Sequence, residues 1–249
     1  MEPELVRPVI AEKFPGLTMA QSTRYGGISE GLYASLNLGL STGDEREAVE
    51  ENRRRFWSAL GTSEAHTAGG YQVHGSEIKV VDKPGYYDGH DAFVTDQPDL
   101  FLDVTVADCV PVLIFDPVKK AIAAIHAGWR GTVEQITGKT VALLQKAYGT
   151  NPADCIAYIG TCIGFDSFEV SAEVAREFAP ELQKEAGSPG KHLVDLKEAN
   201  RRQLLQAGMT DEFIEVSPFC TVADHHRFFS FRKEGGVTGR MLAVIGMRF

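Results

Sequence analysis

Two apolar runs on either side of a short turn constrain the fold of this chain more than any other feature. The first is VPVLIFD at 110–116, the second is AIAAIHAG at 121–128, and only the four residues from Pro117 to Lys120 separate them. Strand-sized apolar runs joined by such a turn are typical of a β-hairpin. The pattern therefore predicts two neighbouring antiparallel strands.

The register of this hairpin decides which polar side chains lie together. If Asp116 pairs with Ala121, then His126 lies opposite Pro111. Cys109 shares the face of Pro111 because side chains alternate along a strand with period two. Cys109 and His126 then project from one face as diagonal neighbours, with Cα atoms about 7–8 Å apart. A slip of one residue would put them on opposite faces.

Two segments have the spacing of amphipathic helices. Apolar residues recur at helical spacing over 44–60, and a second such segment covers 132–144. Each begins with residues that resemble a capping box, in which a polar side chain accepts the first free N–H groups of a helix. The predicted boxes are Asp44 with Glu47 and Thr132 with Gln135.

The other segments indicate a mixed class of fold. Segment 17–27 predicts a strand that runs into a glycine turn, and segment 70–82 is extended. Later short strands (CIAYIG, FIEVSPF and MLAVIGMRF) alternate with helices near 171–179 and 198–207. We expect an α+β or mixed α/β protein with a mixed sheet. Because no linker or repeat interrupts the chain, residues 1–249 are predicted to form one domain.

Composition excludes several classes of function. The net charge of -9 opposes extended contact with a phosphate backbone, so no nucleic-acid partner is expected. The apolar runs are strand-sized, and the first residues, MEPELVRP, lack the pattern of a signal peptide, so neither a membrane span nor export is expected. Four cysteines are too few for a disulfide framework. We expect a cytoplasmic protein with reduced thiols.

His74, Cys109 and His126 are the candidate metal ligands. Taken singly, each is more often an ordinary buried or surface residue than a ligand. The shared strand face changes this interpretation, as do nearby glycines that let a ligand approach closely (Gly75, Gly128 and Gly131).

Two His and one Cys suit Zn²⁺ with a fourth position for water or substrate, as in catalytic zinc sites. A closed structural site would need a fourth protein ligand, for which His225 and His226 are available. The same set also suits copper, so ligand identity leaves the metal open.

Motifs along nearly the whole chain resemble the laccase-domain, or multicopper polyphenol oxidase, family, whose members are now described as purine nucleoside phosphorylases. The matching strings, in order, are STRYGGIS with SLNLG, YQVHG, VADCVPVLIFDP, AAIHAGWRGT, and FFSFR with TGRM. One departure follows GTCIG: Asp166 and Ser167 stand where the family often has adjacent cysteines. Those cysteines are therefore dispensable to the proposed ligand set.

The resemblance implies a compact mixed α/β domain with layered sheets and packed helices. It also implies that His74, Cys109 and His126 bind zinc at the active site. The implied reaction is phosphorolysis of adenosine, inosine, guanosine and methylthioadenosine to the base and ribose 1-phosphate, with adenosine deaminase activity, in a monomer or homodimer. Residues within the motifs are candidates for binding substrate and phosphate: Arg24, Asn37, Arg130 and Arg232.

Three other functions fit the same residues. A copper-dependent, laccase-like oxidase fits the ligand types, but the seven His include none of the His-x-His pairs that commonly hold a multicopper cluster. A metal-free cysteine hydrolase would use Cys109 as the nucleophile and His126 as its base. A metal-storage module would show no turnover.

The chain lacks the H-x-E and P-C-x-x-C signature of zinc nucleobase deaminases, so any deamination must use a different set of residues.

Overall fold

A computed structural model describes residues 2–248 of the chain. The strands are β1 (Leu5–Val6), β2 (Leu17–Ser22), β3 (Thr67–Gly69), β4 (Ile78–Val80), β5 (Gly85–Tyr86), β6 (Ala92–Thr95), β7 (Phe101–Val106), β8 (Val110–Asp116), β9 (Ala121–Ala127), β10 (Ile156–Ile159), β11 (Glu169–Ser171), β12 (Gln183–Glu185), β13 (Lys191–Val194), β14 (Ile214–Val216) and β15 (Met241–Met247). The α-helices are α1 (Arg46–Ala59), α2 (Trp129–Val133), α3 (Ile136–Tyr148), α4 (Ala172–Ala175) and α5 (Leu196–Gln206). Short 3-10 helices lie at Val9–Lys13, Gly31–Tyr33, Glu64–His66, Pro152–Asp154, Phe165–Ser167, Pro180–Leu182 and Asp211–Phe213.

The predicted hairpin and its register are confirmed. Strands β8 and β9 pair antiparallel, with Asp116 opposite Ala121 and Pro111 opposite His126. Every residue of both strands is buried. Their runs are continuously apolar because both faces of the hairpin are covered. Alternate residues accordingly enter two different cores: Leu113 lies with one set of buried side chains and Val112 with another.

Two six-stranded sheets form the centre of the molecule. The first has the order β1-β2-β15-β7-β3-β5 and the second β14-β10-β8-β9-β6-β4, and each contains both parallel and antiparallel pairs. The core between them combines buried residues of both sheets, among them Leu102, Ile245, Leu113, Phe115 and Ile122. Burial of these apolar side chains holds the two sheets together.

Helices cover the outer faces of the two sheets. On the first sheet, Phe56 and Trp57 of α1 pack in one cluster with Phe101. On the second sheet, α3 and α5 bury Ile136 and Leu204 among others. A third, three-stranded antiparallel sheet has the order β11-β13-β12. The predicted mixed α/β class, with layered sheets and packed helices in a compact domain, is confirmed.

Within residues 2–248, no helix combines the length and the apolar character that a membrane crossing requires.

Both predicted capping boxes are wrong. Helix α1 begins after Glu45, and no side chain caps it. The carboxylate of Asp44 instead accepts hydrogen bonds from Ser29 Oγ and Asn37 Nδ2, so it fastens the preceding loop. The amphipathic face of the helix was predicted correctly, since Phe56 and Trp57 are buried.

The second predicted helix is two helices. Gln135 has a φ of 64°, and this left-handed residue separates α2 from α3. Thr132 does not cap a helix, because its Oγ1 accepts a hydrogen bond from Asn200 Nδ2 of α5. Helix α3 also continues beyond Leu144 as far as Tyr148, and it is followed by Gly149, whose left-handed conformation is common at helix C-termini.

The extended segment predicted over 70–82 contains strand only at Ile78–Val80. Its earlier part is irregular because backbone N–H groups from Val73 to Gly75 bind the carboxylate of Asp91 instead of a neighbouring strand.

Asn52 of α1 ties the loop at 28–37 to the helix, and we predict that its loss weakens the fold. Its Nδ2 donates to Ser29 Oγ and to the carbonyl oxygens of Ser35 and Asn37, while its Oδ1 accepts from the Ile28 N–H. Asn52→Ala removes all four hydrogen bonds and takes away the side-chain partner of the Ile28 N–H and of the Asn37 carbonyl oxygen, so it is expected to lower the free energy of unfolding by about 2–4 kcal/mol in urea denaturation.

The matched control is Glu50→Ala on the same helix, where an exposed carboxylate pairs with exposed Arg46. This pair is expected to contribute nothing measurable. Equal denaturation midpoints for Asn52→Ala and the wild type would contradict the assignment of Asn52 as the fastening residue.

Candidate metal centre and active-site cavity

Three separate elements bring His74, Cys109 and His126 together. His126 is the sixth residue of β9, Cys109 immediately precedes β8, and His74 lies in the loop between β3 and β4. One donor atom from each lies within 4.8 Å of the others, and the two imidazole rings are 4.9 Å apart at 86°. His126 is buried, Cys109 is half-buried and His74 is exposed, so the cluster opens to solvent on the side of His74.

Asp91, which the sequence analysis missed, holds both histidines in place. Its Oδ1 lies 2.8 Å from His126 Nδ1 and also accepts the backbone N–H of His74 at 2.9 Å. Its Oδ2 accepts the N–H groups of Gly75 and Val73. Because Nδ1–H of His126 is donated to this carboxylate, Nε2 keeps its lone pair for a ligand.

Asp91 can be assigned to His126 from the sequence only when the order of the strands in the sheet is known. Strand β6 pairs with β9 so that Ala92 lies opposite Ile125. Asp91 therefore precedes β6 beside His126, and its carbonyl accepts the His126 N–H. Nothing in the hairpin pattern alone indicates that β6 is the neighbour of β9.

Two residues of the site have left-handed backbone conformations. His74 has a φ of 59° and Asp108, next to Cys109, has a φ of 89°. Both are held by side-chain hydrogen bonds: His74 through Asp91, and Asp108 through Thr221 Oγ1 and the backbone N–H of Arg232. Non-glycine residues persist in this region only when their surroundings hold them, and they cluster at functional sites.

The charges of the cluster reinforce each other. Burial opposes ionisation of Cys109, yet the imidazolium of His126 and hydrogen bonds from both histidines lower the pKa of its thiol. Burial likewise opposes the charge on His126, but the Cys109 thiolate and Asp91 raise the imidazole pKa. Burial also works against the Asp91 carboxylate, while His126 and the N–H groups of Gly75 and Val73 hold its pKa below the usual value. Without a metal, these shifts favour a thiolate at Cys109 beside an imidazolium at His126.

Gly128 supplies the space beside the three donors. A Cβ at this position would lie 3.3 Å from His74 Cδ2 and 3.4 Å from Cys109 Sγ. Gly131 has a different role, because its Cβ would lie 2.6 Å from the Gly75 carbonyl oxygen. It lets α2 approach the loop that carries His74. The donor set and the space at Gly128 thus fit a metal ion with one open position.

The cluster lies in the wall of a cavity of about 500 Å³. This volume is within the range of small-molecule sites, about 300–1,000 Å³. Aromatic and charged residues both line its wall. The aromatic ones are Tyr71, Tyr86, Trp129, Phe168 and Phe231, and the charged ones are Arg53, Asp103, Asp108, Arg232 and Arg240. The arrangement suits a flat organic molecule that also carries an anionic group.

Of the residues predicted to bind substrate or phosphate, only Arg232 lines this cavity. Arg24 is nearly buried and donates to the carbonyl oxygens of Ala34 and His225 and to Glu234. Asn37 is fully buried, and its amide binds Thr42, Asp44 and the N–H groups of Gly39 and Arg240. Arg130 is exposed with its guanidinium over the Trp129 ring. Their substrate roles remain predictions, and their contacts in this structure are with the protein.

Arg240 is a cavity residue that the sequence analysis did not select, although it lies inside the TGRM motif. Burial lowers the pKa of its guanidinium, while the charges of Cys109 and Asp108 raise it. Among residues 2–248, His225 and His226 are not part of the donor cluster.

We predict that Asp91→Asn weakens metal binding without unfolding the protein. The amide cannot match both the imidazole N–H and the backbone N–H groups, so the two histidines lose their fixed orientation. Loss of such a partner typically lowers metal affinity about 10–100-fold. Competition with a chromogenic chelator would measure this, and the control is Asp96→Asn, an exposed carboxylate that follows the same strand. Unchanged affinity in Asp91→Asn would contradict the orienting role.

The four cysteines should differ in reactivity in metal-free protein at pH 7. Burial raises the pKa of Cys155 and of Cys162 to about 12, so both stay protonated. The pKa of Cys220 is lowered by nearby N–H groups and Ser167 despite burial. Peptide mass spectrometry after brief treatment with iodoacetamide should find Cys109 and Cys220 alkylated, because the thiolate is the nucleophile. Added Zn²⁺ should protect Cys109 alone, and equal labelling of Cys109 with and without Zn²⁺ would contradict its role as a ligand.

Proteins with known names resemble this chain over almost its full length. Purine nucleoside phosphorylase YlmD of Geobacillus stearothermophilus is 39% identical across 96% of this chain and 93% of that protein. Purine nucleoside phosphorylase YfiH of Escherichia coli is 34% identical across 92% of this chain and 93% of that protein.

Solved structures of similar sequence have the same fold as this chain. The crystal structure of YlmD from Geobacillus stearothermophilus superposes with a TM-score of 0.90 at 38% identity, covering 95% of this chain and 93% of that one. The Bacillus licheniformis hypothetical protein YfiH gives 0.93 at 33% identity, covering 99% and 97%. Residues 18–248 match the family model described as multi-copper polyphenol oxidoreductase laccase. By sequence, fold and the order of its motifs, this chain belongs to that laccase-domain family, whose named relatives include purine nucleoside phosphorylases.

Proposed function

We propose that this protein is a zinc-dependent purine nucleoside phosphorylase. It would convert adenosine, inosine, guanosine and methylthioadenosine to the free base and ribose 1-phosphate, with an accompanying adenosine deaminase activity. The observation that carries the proposal is the open cluster of His74, Cys109 and His126 in the wall of an aromatic cavity that also holds Arg232 and Arg240. The names of the relatives support the same reaction.

His74, Cys109 and His126 are the residues that would hold the metal. Bound there, Zn²⁺ would supply Lewis acidity with one coordination position open to substrate or water. Copper remains the alternative cofactor, since the same donors suit it and the matching family model is described by copper chemistry. The protein's own contribution is to orient the donors through Asp91 and to exclude bulk water from Cys109 and His126.

Arg232 and Arg240 are the residues proposed to bind phosphate. Within residues 2–248, both guanidinium groups donate hydrogen bonds to the protein through Nη1 alone. The Nη1 of Arg232 donates to the Glu169 carbonyl oxygen, and the Nη1 of Arg240 donates to the carbonyl oxygens of Thr238 and Gly239. Each guanidinium has five N–H donors in a fork that matches phosphate oxygens, so most of them are left for a ligand. In phosphorolysis a phosphate oxygen attacks C1′ of the nucleoside while the bond from C1′ to N9 of the purine breaks. A held phosphate makes this step effectively intramolecular.

A second candidate is a cysteine hydrolase, and a specific observation favours it. Asp91, His126 and Cys109 stand in the order of orienting acid, base and nucleophile, and the pKa of the thiol is lowered. This arrangement resembles catalytic triads that need no metal. Activity that survives removal of metal by a chelator would favour the hydrolase.

The four cysteines are free thiols, which fits a reducing compartment. We therefore propose a cytoplasmic enzyme, acting as a monomer or homodimer on small molecules, with no nucleic-acid or membrane partner.

Inosine gives the sharpest test of the reaction. It already carries oxygen at C6, so deamination cannot consume it. We expect protein loaded with zinc to convert inosine to hypoxanthine and ribose 1-phosphate only when phosphate is present, as followed by chromatography. Arg232→Ala should raise the KM for phosphate about tenfold or more, because one charged hydrogen-bonding partner of the anion is lost.

Two comparisons make this result specific. Arg46→Ala removes an exposed guanidinium from α1 and should leave phosphate use unchanged. Arg130→Ala tests the sequence-based prediction for Arg130 under the same conditions. Inosine cleavage at an equal rate without phosphate, with free ribose as product, would show a hydrolase instead.

A further inference from the structure

Asp103 is an acidic residue of the cavity wall that is not part of the donor cluster. It lies in the middle of β7, on the same strand face as Phe101 and Thr105, because strand side chains alternate. Phe101 packs under α1, so this face points to the α1 side of the first sheet. His126, by contrast, shares the face of Ile122 and Ala124, which pack between the two sheets. Asp103 therefore points to a different layer of the fold from His126, the histidine that Asp91 orients.

A glycine leaves room for the carboxylate of Asp103. It is Gly69 of the neighbouring strand β3, and a Cβ at this position would lie 2.7 Å from Asp103 Oδ1 and 2.9 Å from Oδ2. Any side chain at residue 69 would collide with the carboxylate. Asp103 is only 6% exposed, yet it lines the cavity. Its remaining accessible surface therefore faces a ligand that enters there.

Asp103 lacks the hydrogen bonds that other buried acids of the site have. Within residues 2–248, no donor reaches its carboxylate, whereas Asp91 and Asp108 accept several hydrogen bonds each. Its oxygens are not among the fully enclosed polar atoms that lack a partner, so they are reached from the cavity that Asp103 lines. A ligand that excludes solvent from the cavity would have to hydrogen-bond this carboxyl group, since a buried polar group without a partner is costly.

The groups around Asp103 keep it from ionising easily. Arg53 of α1 is nearby, but its guanidinium is already bound to Glu64 and to the Leu38 carbonyl oxygen. Burial raises the pKa of Asp103 to about 6, with Arg53 lowering it and Glu64 raising it further. On β5, burial raises the pKa of Tyr86, and the negative charge of Asp103 adds to that rise. A carboxyl group in these surroundings is a proton donor near neutral pH.

The cavity that Asp103 lines also suits a flat ring. Leu40, Tyr71 and Tyr86 contribute to its wall, and each is about half exposed. Exposed aromatic faces of this kind offer a surface on which a planar base can stack. Arg232, where the phosphate is proposed to bind, has its guanidinium over the Phe168 ring and its backbone N–H on the carboxylate of Asp108.

We propose that Asp103 is the catalytic acid that contacts the purine and protonates it as it leaves. The inference rests on the proposed phosphorolysis. When the bond from N9 to C1′ breaks, its electron pair moves into the purine, and the Asp103 carboxyl delivers its proton to N7. A phosphate oxygen forms the new bond to C1′, and the hydrogen phosphate releases its proton. The Asp103 carboxylate regains a proton from solvent, so charge and protons balance over the turnover.

Two substitutions separate the proton from the hydrogen bond. Asp103→Leu removes both, whereas Asp103→Asn keeps a hydrogen-bond donor that cannot release a proton. General acid catalysis typically contributes about 10²–10⁴-fold, so kcat for inosine should fall by about that factor in Asp103→Leu and less in Asp103→Asn.

The decisive comparison uses inosine methylated at N7. Its base already carries a positive charge and leaves without taking a proton, so both variants should cleave it within about threefold of the wild-type rate. Asp82→Asn, an exposed carboxylate, is the control and should match the wild type on both substrates.

Thermal unfolding separates the proposed role from a merely structural one. If Asp103 served only to stabilise the fold, both variants would unfold at a lower temperature than the wild type. Because the folded state raises the pKa of Asp103, its ionisation on going from pH 4 to pH 8 favours unfolding, and we expect both variants to unfold at a higher temperature than the wild type at pH 8, with bound zinc unchanged.

Three outcomes overturn the proposal. If the variants cleave inosine as fast as the wild type, the purine receives its proton from another group, while the phosphorylase assignment stands. If both variants lose activity equally on inosine and on its N7-methylated form, Asp103 only shapes the cavity. If wild-type protein loaded with zinc cleaves neither substrate, the proposed function fails and the role of Asp103 falls with it.

Discussion

The carboxylate of Asp91 is the interaction on which the site depends. It is fully buried, and it accepts the Nδ1–H of His126 together with three successive backbone N–H groups of the loop that carries His74. One group thus orients a strand histidine and holds a loop histidine in a left-handed conformation. Because a buried carboxylate is stable only when such donors surround it, the geometry of the loop and the charge of the acid stabilise each other.

The layered fold explains where an opening can exist. The hairpin of β8 and β9 is buried on both faces, so its middle is filled by packing and has no room for substrate. Reactive groups lie where that packing stops: Cys109 just before β8 and His126 near the end of β9. Loops from the first sheet and from the chain after Phe228 close around these ends and form the cavity. Rigid strands therefore position the donors while loops shape the substrate space.

The cavity wall combines two kinds of chemistry. It holds Arg232 and the metal-ligand candidates, and it also holds the carboxyl group of Asp103 and the ring of Tyr86. A nucleoside and a phosphate together present a flat, weakly basic ring and an anion, with the bond to be broken between them. The cavity has groups suited to both, and this is the physical reason for preferring phosphorolysis to a reaction at the metal alone.

The sequence by itself determined the hairpin, its register and the shared face of Cys109 and His126, because apolar runs and strand alternation are local properties. It also determined the family, through motifs that recur in order. Only the tertiary structure decided that β6 lies beside β9, which places Asp91 on His126, and that Arg24 and Asn37 bind the protein's own groups. It decided as well that Asp44 and Thr132 bind distant side chains instead of capping helices. Such partnerships join residues far apart in the chain, and no local pattern specifies which strands become neighbours.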